Sequence, residues 1–398
     1  MSPTKAIVAL LLILPLMSGC LDLFGRDSPV QGTYADMGFV GDPTGEDSAL
    51  WPQFPEGTKL RVMSHSFFGS FDDAAAQFTA LTGAEVELVE AAGAGDLLSQ
   101  VLAAGTSPDA DVVYGLDNAL VGQAIAGERL RGFTPAHADR VPEEFRFWPS
   151  TPWQATPTDH GYIAINWDPT HRIGEENLNI HNLYDVRTHA DLFVTDDPRR
   201  DSPGLGFLLI TIGFFGENEP FYDWQDYWRD LFANNVTIAS NWGASYVDRF
   251  SAGYGAPDYG GTGLADKALV TSYTESPAYE SYFAPNRGND TLAVPLIGSN
   301  MTWHQIQTTA ILNGTPVPAA AEAWIEFTLT DYYQAMSASY NGVYPIVADM
   351  SVDDVYAGKD PTPGSFVPTF VDPAYIGIKL PIWLDAWAEI CRESGKCE

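Results

Sequence analysis

From Leu60 to Ala126, short apolar runs alternate with helix-length segments, and this alternation constrains the fold more than any other feature of the chain. Leu60 to Met63, Val86 to Val89 and Ala110 to Tyr114 read as strands. Phe71 to Leu81, stopped by Gly83, reads as a helix; so do Asp96 to Ala104, with Asp96 as a candidate cap, and Asn118 to Ala126. A β-α-β-α-β order requires a mostly parallel sheet covered by helices.

The pattern continues with a strand at Tyr162 to Asn166, a short helix at Ala190 to Phe193 and a longer helix from about Pro203 through Leu205 to Phe215. Residues 245–250 are weakly helical, and Leu269 to Tyr273 is a β-branched strand. Ala319 to Thr328 and a terminal stretch from Pro381 read as helices. With 398 residues, 45% hydrophobic and 13% aromatic, the chain has material for two α/β lobes. The expected division is a discontinuous lobe I (58–160 and 281–398) and lobe II (161–280), with hinge strands near Tyr162 to Asn166 and Leu269 to Tyr273. Residues 21–57, rich in Gly, Pro, Asp and Ser, read as a flexible acidic tether.

Lys and Arg total 20 against 52 Asp and Glu, a formal charge of −32. That balance argues against nucleic acid and anionic membrane surfaces as partners. It favours cationic ligands only weakly, because a solvated acidic surface gives the same count. At the N-terminus, Lys5 precedes an apolar stretch, Ala6 to Met17, too short to span a bilayer. Leu16-Met17-Ser18-Gly19-Cys20 resembles a lipoprotein signal box, which implies cleavage before Cys20 and a lipid on its sulfur; a plain cleaved signal is the other reading. Cys391 and Cys397 are either a small disulfide loop in an exported chain or two free thiols.

Chemistry concentrates at Ser272-Tyr273-Thr274-Glu275-Ser276-Pro277-Ala278-Tyr279, where a strand turns into a helix opened by Ser276 and Pro277. Open α/β folds place ligands at such turns. Tyrosine faces and a carboxylate, taken with Trp242 some thirty residues earlier, suit an organic cation. No G-x-S-x-G elbow, phosphate loop or H-E-x-x-H appears, and the seven histidines are scattered without metal-ligand spacing.

An ordered set of strings carries a family resemblance. It comprises Ala110 to Asn118 (ADVVYGLDN), Asp159-His160-Gly161-Tyr162, Asp197 to Gly206 (DPRRDSPGLG), Trp242, and Ser272 to Tyr279. In this order and spacing they resemble the thiamine-binding proteins of ABC importers over residues 58–350. The resemblance implies α/β architecture of the two-lobed type II periplasmic binding protein fold, each lobe a mixed, mostly parallel sheet flanked by helices. It implies an extracytoplasmic, lipid-anchored monomer without cofactor, closing on thiamine or a thiamine phosphate and docking on ABC permease subunits.

On that pattern Trp242 and Tyr279 sandwich the ligand rings, with Tyr273 beside them, although each aromatic also has an ordinary reading as core. His65 stands where relatives offer an aromatic ring. Asp117 either bonds the aminopyrimidine or caps the helix after it. The helix start at Ser202 suits a phosphate, yet Asp201 stands where relatives carry a small hydroxyl residue and would repel one, which favours free thiamine. Asp201 and Ser202 also read as plain helix caps, and Glu275 is the turn's carboxylate. Gly93 and Gly342 replace an acidic residue and a tryptophan of relatives. A receptor for a polyamine or for ferric ion, the latter needing ligand tyrosines such as Tyr332 and Tyr333, is the alternative on this fold. A glycosidase using paired carboxylates is the alternative outside it.

Overall fold

The computed structural model describes residues 42–65, 69–105, 107–146, 151–253, 255–257, 261–278, 293–348, 350 and 366–397. The first half of the sheet is built from β1 (Lys59–His65), β2 (Glu85–Ala91) and β3 (Val112–Asp117), with α1 (Phe71–Thr82), α2 (Ala94–Ala103) and α3 (Val121–Ala126) between and after them. β1 pairs in parallel with both β2 and β3, as the alternating pattern requires. A two-residue strand, β4 (Leu130–Arg131), leads towards the long β5 (Thr156–Trp167).

The second half adds the hairpin of β6 (Arg172–Ile173) and β7 (Glu176–Asn177), then α4 (Leu183–Thr188), β8 (Phe193–Asp196), α5 (Ser202–Phe215), α6 (Trp224–Ala233), β9 (Thr237–Ala239) and β10 (Leu269–Tyr273). The chain returns through β11 (Val294–Pro295) and β12 (Trp303–Leu312) to α7 (Pro318–Thr328), α8 (Asp331–Asn341), β13 (Tyr344–Pro345) and α9 (Pro373–Glu393). Strand order is β2-β1-β3-β12-β5-β10-β8-β9, parallel within each flank and antiparallel where β12, β5 and β10 join them.

β10 is flanked on both sides, by β5 and β8, and so lies inside the second half. The strand on the other side of β5 is β12, which sequence patterning does not reveal. Its polar residues are buried yet bonded: Gln305 donates to Asp117, the Thr308 hydroxyl to the Leu116 carbonyl at 2.5 Å, and Thr309 pairs with Thr158 at 2.7 Å.

Three boundaries differ from those read in the sequence. Residues 42–57 belong to the folded body, and the tether reading fails for them. The Asp42 carboxylate collects the N–H groups of Thr44, Glu46 and Asp47, while Trp51 and Phe54 are buried in the core around Phe78 and Trp324. Burial of each such side chain contributes about 2 kcal/mol, which outweighs the irregular composition around it. Helix α3 starts at Val121, because Asp117 accepts N–H groups from Ala119 and Leu120 and holds a turn there. The terminal helix starts at Pro373, capped by Asp372, and Pro381 lies inside it on the exposed side. Ile376 and Leu380 before the proline and Trp383 and Trp387 after it are buried, so packing overrides the local penalty.

Helix α5 is buried on almost every face. Gly206 permits that, since a Cβ there would meet Ile163 of β5 at 2.5 Å. Helix α9 packs on α3 in one half and on α6 in the other, and one continuous core contains side chains from all three. Its end is closed by a Cys391–Cys397 disulfide with Cα atoms 5.4 Å apart. Among the described residues, no helix is long and apolar enough to cross a membrane.

Candidate functional site

The last residues of β1, β3, β8 and β10 are His65, Asp117, Asp196 and Tyr273. Carboxyl ends of parallel strands from both halves therefore converge on one cleft, where open α/β sheets bind ligands. The two halves touch there: the Gly95 N–H at the start of α2 donates to the Arg200 carbonyl at 3.2 Å. A Cβ on Gly93 would lie 2.6 Å from the same carbonyl, so a glycine at this position admits the contact. A cavity of about 320 Å³ runs beside it, between Leu98, Leu120, Arg199, Asp201 and Pro381.

Asp201 is the N-cap of α5, and its two oxygens have different duties. Oδ1 accepts the Ser202 N–H at 3.0 Å and Oδ2 accepts the Trp242 N–H at 2.7 Å. The cap reading therefore holds for Asp201, while Ser202 is the buried first residue of the helix. Burial raises the Asp201 pKa, against the two backbone donors and the nearby His65 imidazole. Burial likewise lowers the pKa of His65, with Asp201 opposing. The His65 ring lies against Gly115 (φ +104°), where a Cβ would stand 3.0 Å from it.

Trp242 is fixed at three points: its backbone by Asp201, its indole Nε1–H by the Ser272 hydroxyl at 2.8 Å, and one ring face by Tyr246, stacked at 4.9 Å and 10°. Tyr246 sits one turn on, in the π-helical turn Gly243–Val247. The i, i+4 spacing of the two aromatics was the signal that points to it in the sequence.

Acidic groups surround the neighbouring Tyr273. Asp196 is fully buried, and burial with the neighbouring Asp201 and Asp197 carboxylates pushes its pKa well up, against the Ser245 hydroxyl. Tyr273 is held far above the ordinary phenol value by burial and by Asp201, Glu275, Asp117 and Asp196. Glu275 is buried beside Gly161, its Oε2 accepting the Thr274 hydroxyl at 3.0 Å. Asp117 accepts from Ala119, Leu120 and Gln305, so its oxygens are committed to capping and to β12. Arg199 does not offset these acids, because its guanidinium is bidentate to Asp197 and lies over Trp387.

His65, Asp117, Asp201, Ser202, Trp242, Tyr273 and Glu275 thus gather at one cleft; Cys20 and Tyr279 lie outside the described residues. Gly342 is the left-handed C-cap of α8, a position that favours glycine. Tyr332 and Tyr333 lie in α8, with Tyr333 buried in the core beside Trp324 and Phe327. Asp196, Tyr246 and Gln305 are cleft residues that the sequence strings leave out.

Two α/β halves joined through β5, facing each other at their strand ends, have the two-lobed fold of the periplasmic binding proteins. The comparisons agree. The chain is similar to the thiamine-binding periplasmic protein of Salmonella typhimurium, 26% identical over 311 residues, which are 78% of this chain and 85% of the relative. Among solved structures it is similar to a periplasmic thiamin binding protein, with a TM-score of 0.66 and 22% identity, covering 86% of this chain and 99% of that one. Iron-bound HitA from Pseudomonas aeruginosa shares the fold, with a TM-score of 0.65 and 17% identity over 84% of this chain and 99% of that one. No family model matches the chain.

Proposed function

We propose that this chain is the extracytoplasmic substrate-binding component of an ABC importer, a binding protein rather than an enzyme, and that its ligand is thiamine. The observation that carries the reading is the immobilised Trp242 ring, backed by Tyr246, bonded to Asp201 and linked through Ser272 to Tyr273, whose phenol is surrounded by Asp201, Glu275, Asp117 and Asp196. A thiazolium has a fixed positive charge, and an aromatic face attracts it by about 0.5–2 kcal/mol. Thiamine-binding relatives in sequence and structure support the same ligand.

Free thiamine is preferred over its phosphate esters, because Asp201 already occupies the α5 start with a carboxyl group and takes the Ser202 N–H. Closure brings α2 onto the Arg199–Arg200 turn, and the ligand acts by favouring that closed state. Lipid attachment at Cys20, monomeric presentation to a permease and an extracytoplasmic setting complete the proposal; the terminal disulfide supports the last.

Titration calorimetry of the mature chain against thiamine, thiamine phosphate and spermidine tests it. Thiamine is expected to bind most tightly, and Trp242→Ala to weaken it by roughly 2- to 30-fold, the cation–π range expressed as affinity. Spermidine binding without any thiamine heat would sink the ligand assignment and leave the fold.

A further inference from the structure

A second pocket lies on β5, β12 and β13, on the sheet face opposite Gly161 and Tyr273 and on the same face as Ser272, which holds the Trp242 indole. Successive residues of a strand face opposite ways. Gly161 faces Glu275 and Tyr273, whose atoms a Cβ there would meet at 2.4 and 3.7 Å, so its neighbours His160 and Tyr162 face the other side. There His304 Nε2 and His160 Nδ1 are 3.1 Å apart. The Tyr162 ring stacks on His304 at 4.5 Å and 16°, and Phe145 and Tyr344 pack on His160 at 4.5 and 5.4 Å. In front of these rings is a cavity of about 520 Å³, the size of a small-molecule site.

Both imidazoles are neutral at physiological pH. Burial holds His304 down to about 4, and burial with the adjacent His304 keeps His160 well below the ordinary value. The acidic side chain in the lining, Glu144, is exposed. A neutral imidazole has one N–H and one lone pair. The bond between the rings uses His160 Nδ1 and His304 Nε2, one donating and the other accepting. Whichever way that proton sits, the two remaining nitrogens, His160 Nε2 and His304 Nδ1, are one donor and one acceptor. The pair therefore offers a donor and an acceptor at once in either tautomeric arrangement. A metal ion is a poor occupant, since two nitrogens are spent on each other and no group of three or more ligating residues exists among the described residues.

We propose that this pocket is a second binding site, for an uncharged flat heteroaromatic molecule that carries a hydrogen-bond donor and acceptor on one edge, as an arenecarboxamide or amino-azine does. The aromatic walls hold its faces and the histidine pair reads its edge.

Nicotinamide is a suitable probe, with nicotinate as its charged isostere and histidine ring resonances of the labelled mature chain as the readout. Nicotinamide is expected to shift the His160 and His304 signals saturably, with nicotinate about tenfold weaker or worse. His304→Phe keeps a ring on Tyr162 and removes the polar edge, so it should lose binding about tenfold, with a thermal melt confirming the fold. Thiamine at saturation should leave the nicotinamide-induced shifts in place, because the two molecules occupy separate pockets. No saturable shift in the parent, equal binding of nicotinate, full binding by a folded His304→Phe, or displacement of nicotinamide by thiamine would each overturn the proposal.

Discussion

The Asp201 carboxylate holds the Trp242 backbone N–H at 2.7 Å, so the residue that caps α5 also positions the aromatic plate of the cleft. Asp201→Asn keeps an acceptor for Ser202 but turns an amide N–H₂ towards the Trp242 donor. The loss of a hydrogen bond to a charged acceptor is expected to cost about 1.5–3 kcal/mol of stability. The same change removes a carboxylate from a helix start, so calorimetry should show thiamine phosphate gaining on thiamine. An unchanged preference would mean that Asp201 does not select against phosphate.

Gly95 meets the opposite half so closely that a Cβ would stand 2.0 Å from the Arg199 carbonyl. Gly95→Ala should therefore favour the open state while the fold persists. Small-angle scattering is expected to show a larger radius for the ligand-free protein, and ligand affinity should fall with the closed population. Parent-like affinity would show that closure does not pass through this contact.

Asp159 is buried, and burial raises its pKa to about 7 against the hydrogen bonds from Tyr114 and Gln307. A folded value above the unfolded one gives stability that is full below about pH 4 and is lost as pH rises through about 7. The loss is on the order of 4 kcal/mol at high pH. Denaturant melts of Asp159→Asn should match the parent near pH 4 and exceed it near pH 8. Glu326, also raised to about 7 by burial, retains its own share of the slope in that variant.

Glu217 fastens the C-terminal helix, accepting from Trp383 Nε1 at 2.7 Å, from the Tyr375 hydroxyl at 2.6 Å and from Lys379 at 3.3 Å. Burial works to raise its pKa, but these three donors outweigh it and the net shift is downward. Its contribution is present above the unfolded carboxylate value and is lost as pH falls through the folded one. Glu217→Ala leaves the Trp383 indole without this acceptor and should cost about 1–3 kcal/mol; Glu217→Gln, which keeps an oxygen, should cost less. Equal melts for both variants would show that the acceptor is not what holds the helix.

The parallel flanks were legible because Val112-Val113-Tyr114 and Leu269-Val270-Thr271 are short apolar or β-branched runs in strands buried on both faces, while the edge strand at Val86 to Val89 alternates apolar residues with the half-exposed Glu87. The cleft strings were legible for a related reason, since they follow those runs directly. β12 was not, because Gln305, Gln307, Thr308 and Thr309 give a polar pattern that only the partner strands β3 and β5 make acceptable inside a core. Trp51 and Phe54 were equally silent: two isolated aromatics among prolines have no period to detect. Asp117 shows the limit within the site. Its position at a strand end was readable, whereas the Gln305 that claims its second oxygen lies 188 residues away.

Because α9 rests on α3 at the close pair Gly377 and Gly122, and on α6 through Trp387 against Trp228 and Phe232, it cannot follow both halves when they separate. One of its two seats must be vacated. If the halves move as the proposed function requires, this double seat favours the closed arrangement whether or not a ligand is bound. On that reading unloading is the harder step, and the permease of the proposed importer supplies the work of freeing one seat.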